Sequence, residues 1–363
     1  MADPDSKAGW LLRRVVLAPA MPVLAAVAAL LWVVVLVTSV LGCPPVALIR
    51  GRRPRWRALR VVSMALAYLL VETLCVLVCL LLWLGSGCGL RLCAPWSVRA
   101  HAAVLAAFLG VLLRVARAVF GFRVLVEEPE RHPEDVRRVR HEAPLVVLAR
   151  HAGPGASFAL VHLLVSRYAR HPHVVLTDRL RLDPAIDLLL TRTGCTWVSD
   201  AGPVQATRIG AAASGLKPGQ ALLLFPEGAD WTPVRHLRAV ARLRQRGLVK
   251  QAQLALQMPH VLPPHPAGTV AAVRGAPTAD VLVFTHAGHD ALLDAASAWR
   301  ALPLVGPLRM AWWRAAASEV PREDEQAATR WLQQIWVDID AWVGEQTALS
   351  DLGAQRSRTT GWP

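Results

Sequence analysis

The run Leu145-Val146-Val147-Leu148-Ala149 leads into Arg150-His151-Ala152-Gly153-Pro154-Gly155-Ala156-Ser157, after which helical periodicity begins. A histidine at a strand end, followed by a glycine-rich turn into a helix, sets an imidazole beside backbone N–H groups that lack partners inside the helix. Such donors suit a phosphate or a developing oxyanion, and imidazole is the side chain most often used as a general base. Ser157 reads as the helix N-cap. Glycine-proline-glycine turns with a nearby histidine occur in many loops, so this stretch alone assigns no reaction.

A second stretch has the same form. Ala221-Leu222-Leu223-Leu224-Phe225 runs into Pro226-Glu227-Gly228-Ala229-Asp230-Trp231-Thr232-Pro233-Val234-Arg235. Gly228 permits a tight turn, and Glu227 is placed to hydrogen-bond a substrate or to brace the loop. A third stretch, Val261-Leu262-Pro263-Pro264-His265-Pro266-Ala267-Gly268, is stiffened by proline, as suits a pocket wall or a plain connector. Arg235, Arg238, Arg242 and Arg246 recur at near-helical spacing. A guanidinium fork matches phosphate geometry and Arg235 is nearest the second stretch; the other three equally suit a face turned to anionic headgroups. His286, His289 and Asp290 offer metal-ligand atoms, but no companion cluster supports a metal, and they read as structural.

The elements that must position these residues follow from the apolar patterning. Strands are predicted at 145–149, 173–176, 195–198, 221–225 and 281–285, and helices at 157–168, 184–192, 203–215 and 234–256, which is an α/β pattern. Trp331, Leu332, Ile335, Trp336, Ile339, Trp342 and Val343 predict an amphipathic helix over 324–347, its aromatic stripe suited to core packing or a membrane interface. Residues 348–363 read as a disordered tail.

Ahead of this part, 15–41 and 61–83 are apolar runs each longer than the roughly 20 residues that cross a bilayer. The segment 101–120 carries Arg114 and Arg117 and reads as a third crossing or an interfacial helix. Arg50, Arg52, Arg53, Arg55, Arg57 and Arg60 make the first loop the densest positive one, so the positive-inside rule puts it in the cytoplasm. Three crossings would leave the remainder cytoplasmic as well. The first run exceeds a signal peptide's apolar region and reads as a retained anchor.

With 54% apolar and 18% charged residues and a net charge of +14, the chain suits a lipid surface and an anionic partner. The arginines cluster beside apolar segments and the aromatics are mainly tryptophans within them, which argues against nucleic acid. Five of six cysteines fall in the first 93 residues. Cys75 and Cys79 read as small buried side chains, and Cys88 and Cys93 could pair across a short loop facing an oxidising compartment. No Gly-x-Ser-x-Gly elbow is present, which disfavours a hydrolase.

Together, in this order and at these separations, the three stretches resemble the 1-acylglycerol-3-phosphate acyltransferase superfamily, over roughly residues 100–345. There the first block is His-x-x-x-x-Asp, the third holds Phe-Pro-Glu-Gly and the fourth is a proline-bearing segment. His-Ala-Gly-Pro-Gly resembles the actinobacterial branch in particular. The resemblance implies a mixed, largely parallel sheet flanked by helices at 121–347, preceded by a membrane region at 1–120. It implies His151 and Glu227 as catalytic residues, with Gly228, Arg235, Pro263 and Pro264 contacting substrate. It implies acyl-CoA or acyl-ACP as donor, a lysophospholipid as acceptor, anionic membrane lipids as partners, no cofactor, no metal and no nucleic acid. The cell membrane is the implied location, with phospholipid synthesis as the process.

Two positions depart from the family pattern. The motif aspartate falls at Ala156, and the second block, Gly194-Cys195-Thr196-Trp197-Val198-Ser199-Asp200, ends in an acid where a basic residue is usual. The resemblance therefore implies a slowed base, with Ser157, Asp178 or Glu227 as stand-ins for the aspartate, or a chain that binds lysolipid or acyl-CoA without catalysis, or one that acylates another lipid. It also implies that Ala156→Asp raises turnover.

Overall fold

The computed structural model describes residues 9, 11–49, 56–127, 139, 143–199 and 203–359. The chain forms two compact units that no single cut in the sequence separates. One is Met1–Phe122 with Leu176–Ser199 and Trp299–Val305; the other is Arg123–Val175 with Asp200–Ala298 and Gly306–Pro363.

The first unit holds three long helices: α1 (Ala18–Ile49), entered through a π-helical turn at Leu12–Leu17, α2 (Arg57–Gly85) and α3 (Pro95–Phe120). Each is long and apolar enough to cross a bilayer. Along α1, Val23, Leu30 and Leu41 are 63%, 70% and 71% exposed, a surface that only lipid covers at low cost. The chain is thus membrane-associated. The third helix begins earlier than residue 101 because Pro95 fits the first helical turn, where no N–H is needed.

α2 also carries polar groups, and each has a partner. Glu72, fully buried, accepts the N–H of Ala185 at 2.7 Å in the first turn of α5 (Pro184–Thr193). A carboxylate at a helix N-terminus meets unpaired N–H groups and the favourable end of the dipole. Tyr68 donates to Asp183, the N-cap of α5. Asp187, 1% exposed, pairs with Arg13 at 3.2 Å and Arg14 at 3.0 Å. Arg192 donates to the Cys79 carbonyl at 3.0 Å. Arg57 donates to the Leu302 and Arg300 carbonyls; Arg50, Arg52, Arg53 and Arg55 lie outside the described residues. Cys75 and Cys79 are buried, and Cys88 and Cys93 are exposed free thiols, so the pairing across their loop is not formed. Asp178 sits in this unit, 3.7 Å from Arg181. Strand β4 (Cys195–Val198) is counted here too.

In the second unit, β1 (Val124–Glu127), β2 (Leu145–Ala149), β3 (His171–Thr177), β5 (Gln220–Leu224), β6 (Asp280–Ala287) and β7 (Leu308–Ala315) lie side by side in the order β1-β7-β6-β2-β5-β3. Every adjacent pair is parallel except β6 with β7. The sheet is mixed, mostly parallel and flanked by helices. All five residues of β2 are buried, the near-continuous apolar strand expected of a sheet covered on both faces. β1 and β7 had no counterpart among the predicted strands: β7 carries Arg309 and Arg314, which pair with Glu127 and Asp280.

The helices are α4 (Pro154–Ser166), α6 (Pro203–Ser214), α7 (Pro233–Gln245), α8 (Val249–Leu256), α9 (Pro266–Gly275), α10 (Ala295–Ala301) and α11 (Glu325–Thr359). The helix predicted over 234–256 is two, broken at Arg246-Gly247-Leu248. Leu332, Ile335, Trp336, Ile339 and Val343 of α11 pack with Val146, Leu148, Val281 and Val283 of β2 and β6, which makes the aromatic stripe core packing. α11 continues past the boundary expected at 347. It runs to Thr359, and Ala348, Leu349, Leu352 and Ala354 are good helix formers with no proline between them. Residues 360–363 lie outside the described residues.

Candidate active site

Three loops at the ends of β2, β5 and the chain before α9 meet through backbone hydrogen bonds. Trp231 N–H donates to the His151 carbonyl at 2.7 Å, and His265 N–H to the Pro226 carbonyl at 2.8 Å. Glu227, 2% exposed, joins all three: Oε1 accepts the His151 N–H at 3.0 Å and Oε2 the Leu262 N–H at 2.9 Å. Both carboxyl oxygens are thus turned to backbone donors. Of the two readings of Glu227, a substrate contact or a loop brace, its hydrogen bonds in the structure serve the brace, under His151.

Burial is the largest influence on Glu227 and pushes its carboxyl up to about 7, against Arg150 and the two backbone N–H groups, which pull it down. An unfolded glutamate titrates near ~4.3. The folded state therefore holds the extra proton between about 4.3 and about 7, so this group's contribution to stability falls as pH rises through that window. Glu227→Gln puts an amide donor against one of the two N–H groups and should cost roughly 1–3 kcal/mol. It should also flatten the pH dependence of Tm across the window; an unchanged Tm profile would remove the brace.

Arg150 is the second brace. Buried to 1% exposure, it donates to the His260 carbonyl at 2.8 Å, to the His286 carbonyl at 2.9 Å and to Asp290 at 3.3 Å. Asp340 of α11 in turn accepts the His260 N–H at 2.6 Å. His286 and Asp290 thus serve the scaffold, and among the described residues no group of His, Cys, Asp or Glu is placed to hold a metal ion.

His151 itself is 24% exposed in its side chain. Its ring lies against Phe225, centroids 4.5 Å apart and planes 32° from parallel. Nδ1 is 3.3 Å from Asp230 Oδ1, a charge-pair distance whose angle falls short of an aligned hydrogen bond. Asp230 is fixed by the Gly153 N–H, which donates to the same oxygen at 2.7 Å. The tautomer that pairs with Asp230 has its proton on Nδ1 and leaves the Nε2 lone pair free. Burial, the largest influence, lowers the imidazole below its ordinary value; Asp230 opposes this, and Arg235 and Arg150 add to it.

Asp230 is the residue that sequence reasoning missed. It stands in the quoted second stretch, yet the candidates for the absent aspartate were Ser157, Asp178 and Glu227. Ser157 is inside α4, its hydroxyl 3.5 Å from the Gly153 carbonyl, and the N-cap is Gly153 at φ +95°, a conformation glycine adopts freely. Asp178 pairs with Arg181. Glu227 is occupied as described. Ala156 is buried in the first turn of α4.

Gly228, at φ +68°, closes a turn with its N–H on the Phe225 carbonyl at 3.0 Å. Pro263 and Pro264 are half-buried in the loop between Leu262 and α9. Arg235, exposed in the first turn of α7, donates to the Asp230 carbonyl at 3.0 Å, so its guanidinium lies beside the His151–Asp230 pair. Thr232 caps that helix by accepting the Arg235 N–H. The first-turn N–H groups of Gly155 and Ala156 have no partner within α4.

No curated protein and no solved structure matches the chain. A family model described as Acyltransferase does match, over residues 123–267, so His151, Glu227, Asp230, Arg235, Pro263 and Pro264 all lie in a stretch similar to that family.

Proposed function

We propose that the chain is a membrane-bound lipid acyltransferase that moves a fatty acyl group from the thioester of acyl-CoA or acyl-ACP to the free hydroxyl of a lysophospholipid, 1-acylglycerol-3-phosphate in phospholipid synthesis. The observation that carries this reading is the His151–Asp230 pair at the entrance of α4. His151 Nε2 removes the proton of the acceptor hydroxyl as its oxygen attacks the thioester carbonyl. Asp230 holds the imidazole and stabilises its charged form. The tetrahedral oxyanion meets the N–H groups of Gly155 and Ala156. Collapse expels the thiolate, which takes the proton from the imidazolium, leaving an ester and a thiol. Arg235, beside the pair and exposed, suits the acceptor's phosphate. No cofactor enters the scheme.

With Asp230 beside the imidazole, Ala156 no longer argues for a chain without catalysis. The test is acyl transfer from a long-chain acyl-CoA to lysophosphatidic acid by the purified protein in detergent. Activity lost on His151→Ala supports the reading, and full activity in that variant overturns it. Arg235→Ala should raise KM for lysophosphatidic acid more than it lowers kcat.

A further inference from the structure

Helices α7 and α8 bury one side and leave another unpartnered. His236, Ala239 and Val240 of α7, with Ala252 and Ala255 of α8, face inward. On the opposite side of α7 Val234 and Leu237 are 57% and 63% exposed; in the neighbouring helix Val249, which opens α8, is 57% exposed. At 100° per residue, Val234, Leu237 and Ala241 share one stripe. Arg238 and Arg242 border it on one side and Arg244 on the other, all exposed. Scattered apolar residues need no account, but a stripe with arginines along both margins is the pattern of a helix lying in a headgroup layer.

Charge points the same way. No acidic residue occurs between Asp230 and Asp280, and Arg235, Arg238, Arg242, Arg244, Arg246 and Lys250 fall within that span. Among the described residues no carboxylate pairs with Arg238, Arg242, Arg244, Arg246 or Lys250, and the row belongs to a chain whose apolar helices already keep it at a bilayer, where the local concentration of headgroups is high. Nucleic acid would call for bases stacking on aromatic side chains, and the exposed stripe carries none.

We infer that the α7–α8 surface docks on an anionic bilayer, with Val234, Leu237 and Val249 at the acyl boundary and Arg238, Arg242 and Arg244 among the headgroup phosphates. This rests on exposure and charge, apart from the reaction proposed above. Its test uses the full chain in nanodiscs, with Cys88 and Cys93 changed to Ser and an environment-sensitive dye on Leu237→Cys. The same protein without the new cysteine sets the background, and Gln326→Cys, exposed on α11, is the control position.

In discs of phosphatidylcholine with phosphatidylglycerol, the Leu237 dye should shift to the blue and be quenched by a lipid-borne nitroxide, while the Gln326 dye should not. Both signals should be lost in pure phosphatidylcholine and in the triple variant Arg238→Gln, Arg242→Gln, Arg244→Gln. A Leu237 dye reached only by an aqueous quencher in anionic discs overturns the docking and leaves the face to another macromolecule. Equal quenching in neutral discs or in the triple variant overturns the role of charge.

Discussion

Asp230→Asn should lower kcat for the proposed acyl transfer by about 10²- to 10⁴-fold while KM for either substrate changes little. The substitution keeps the shape that accepts the Gly153 N–H but removes the charge 3.3 Å from His151 Nδ1. An asparagine can also present its amide donor to Nδ1, which favours the tautomer whose lone pair faces away from the acceptor. The pH profile separates this from a purely structural role. In the proposed reaction the wild-type kcat/KM should fall as pH drops through the His151 pKa, which burial holds below its ordinary value. Asp230 opposes that lowering, so its removal should move the acid limb further down. An unmoved limb would make Asp230 a loop residue only. By the same geometry Ala156→Asp should bring no gain while Asp230 is in place, and a strong gain would reassign the imidazole's partner.

His151→Ala should reduce single-turnover acyl transfer by about 10³- to 10⁴-fold, leaving the residue due to binding and the α4 N–H groups. The side chain is partly exposed, and its backbone N–H stays on Glu227, so the fold should survive. In the proposed reaction base and carboxylate act as one unit, so the double variant His151→Ala, Asp230→Asn should be scarcely slower than His151→Ala alone. Fully additive losses would mean that the two residues act separately.

Much of this was legible in the sequence, and the reasons differ by element. Strands β2, β5 and β6 announce themselves as short buried apolar runs, whereas β7 hides because its arginines neutralise carboxylates of β1 and β6, distant in the chain. The three loops were recognisable from their turn residues. Their division of labour was not, because it depends on which oxygen meets which N–H. Glu227 and Asp230 lie three residues apart in one turn, yet one is buried under the backbone and the other reaches the imidazole. A motif aspartate sought at a fixed spacing along one helix cannot be found when the fold supplies the carboxylate from the next strand's loop.

The polar partners of α2 bear on how much of this chain can stand alone. Residues 176–199 lie inside the stretch similar to acyltransferases, yet the Asp183 carboxylate, the Ala185 N–H and Asp187 are satisfied by Tyr68, Glu72, Arg13 and Arg14. A fragment starting at residue 121 would keep the whole His151–Asp230 pair and still leave these groups orphaned, with apolar residues such as Leu188 and Leu189 uncovered. Such a fragment is expected to aggregate when expressed, measurable as loss of the monodisperse species in gel filtration. The early helices are thus also a folding template: they leave the ribosome before α5 does, and α5 finds its capping carboxylate already in place.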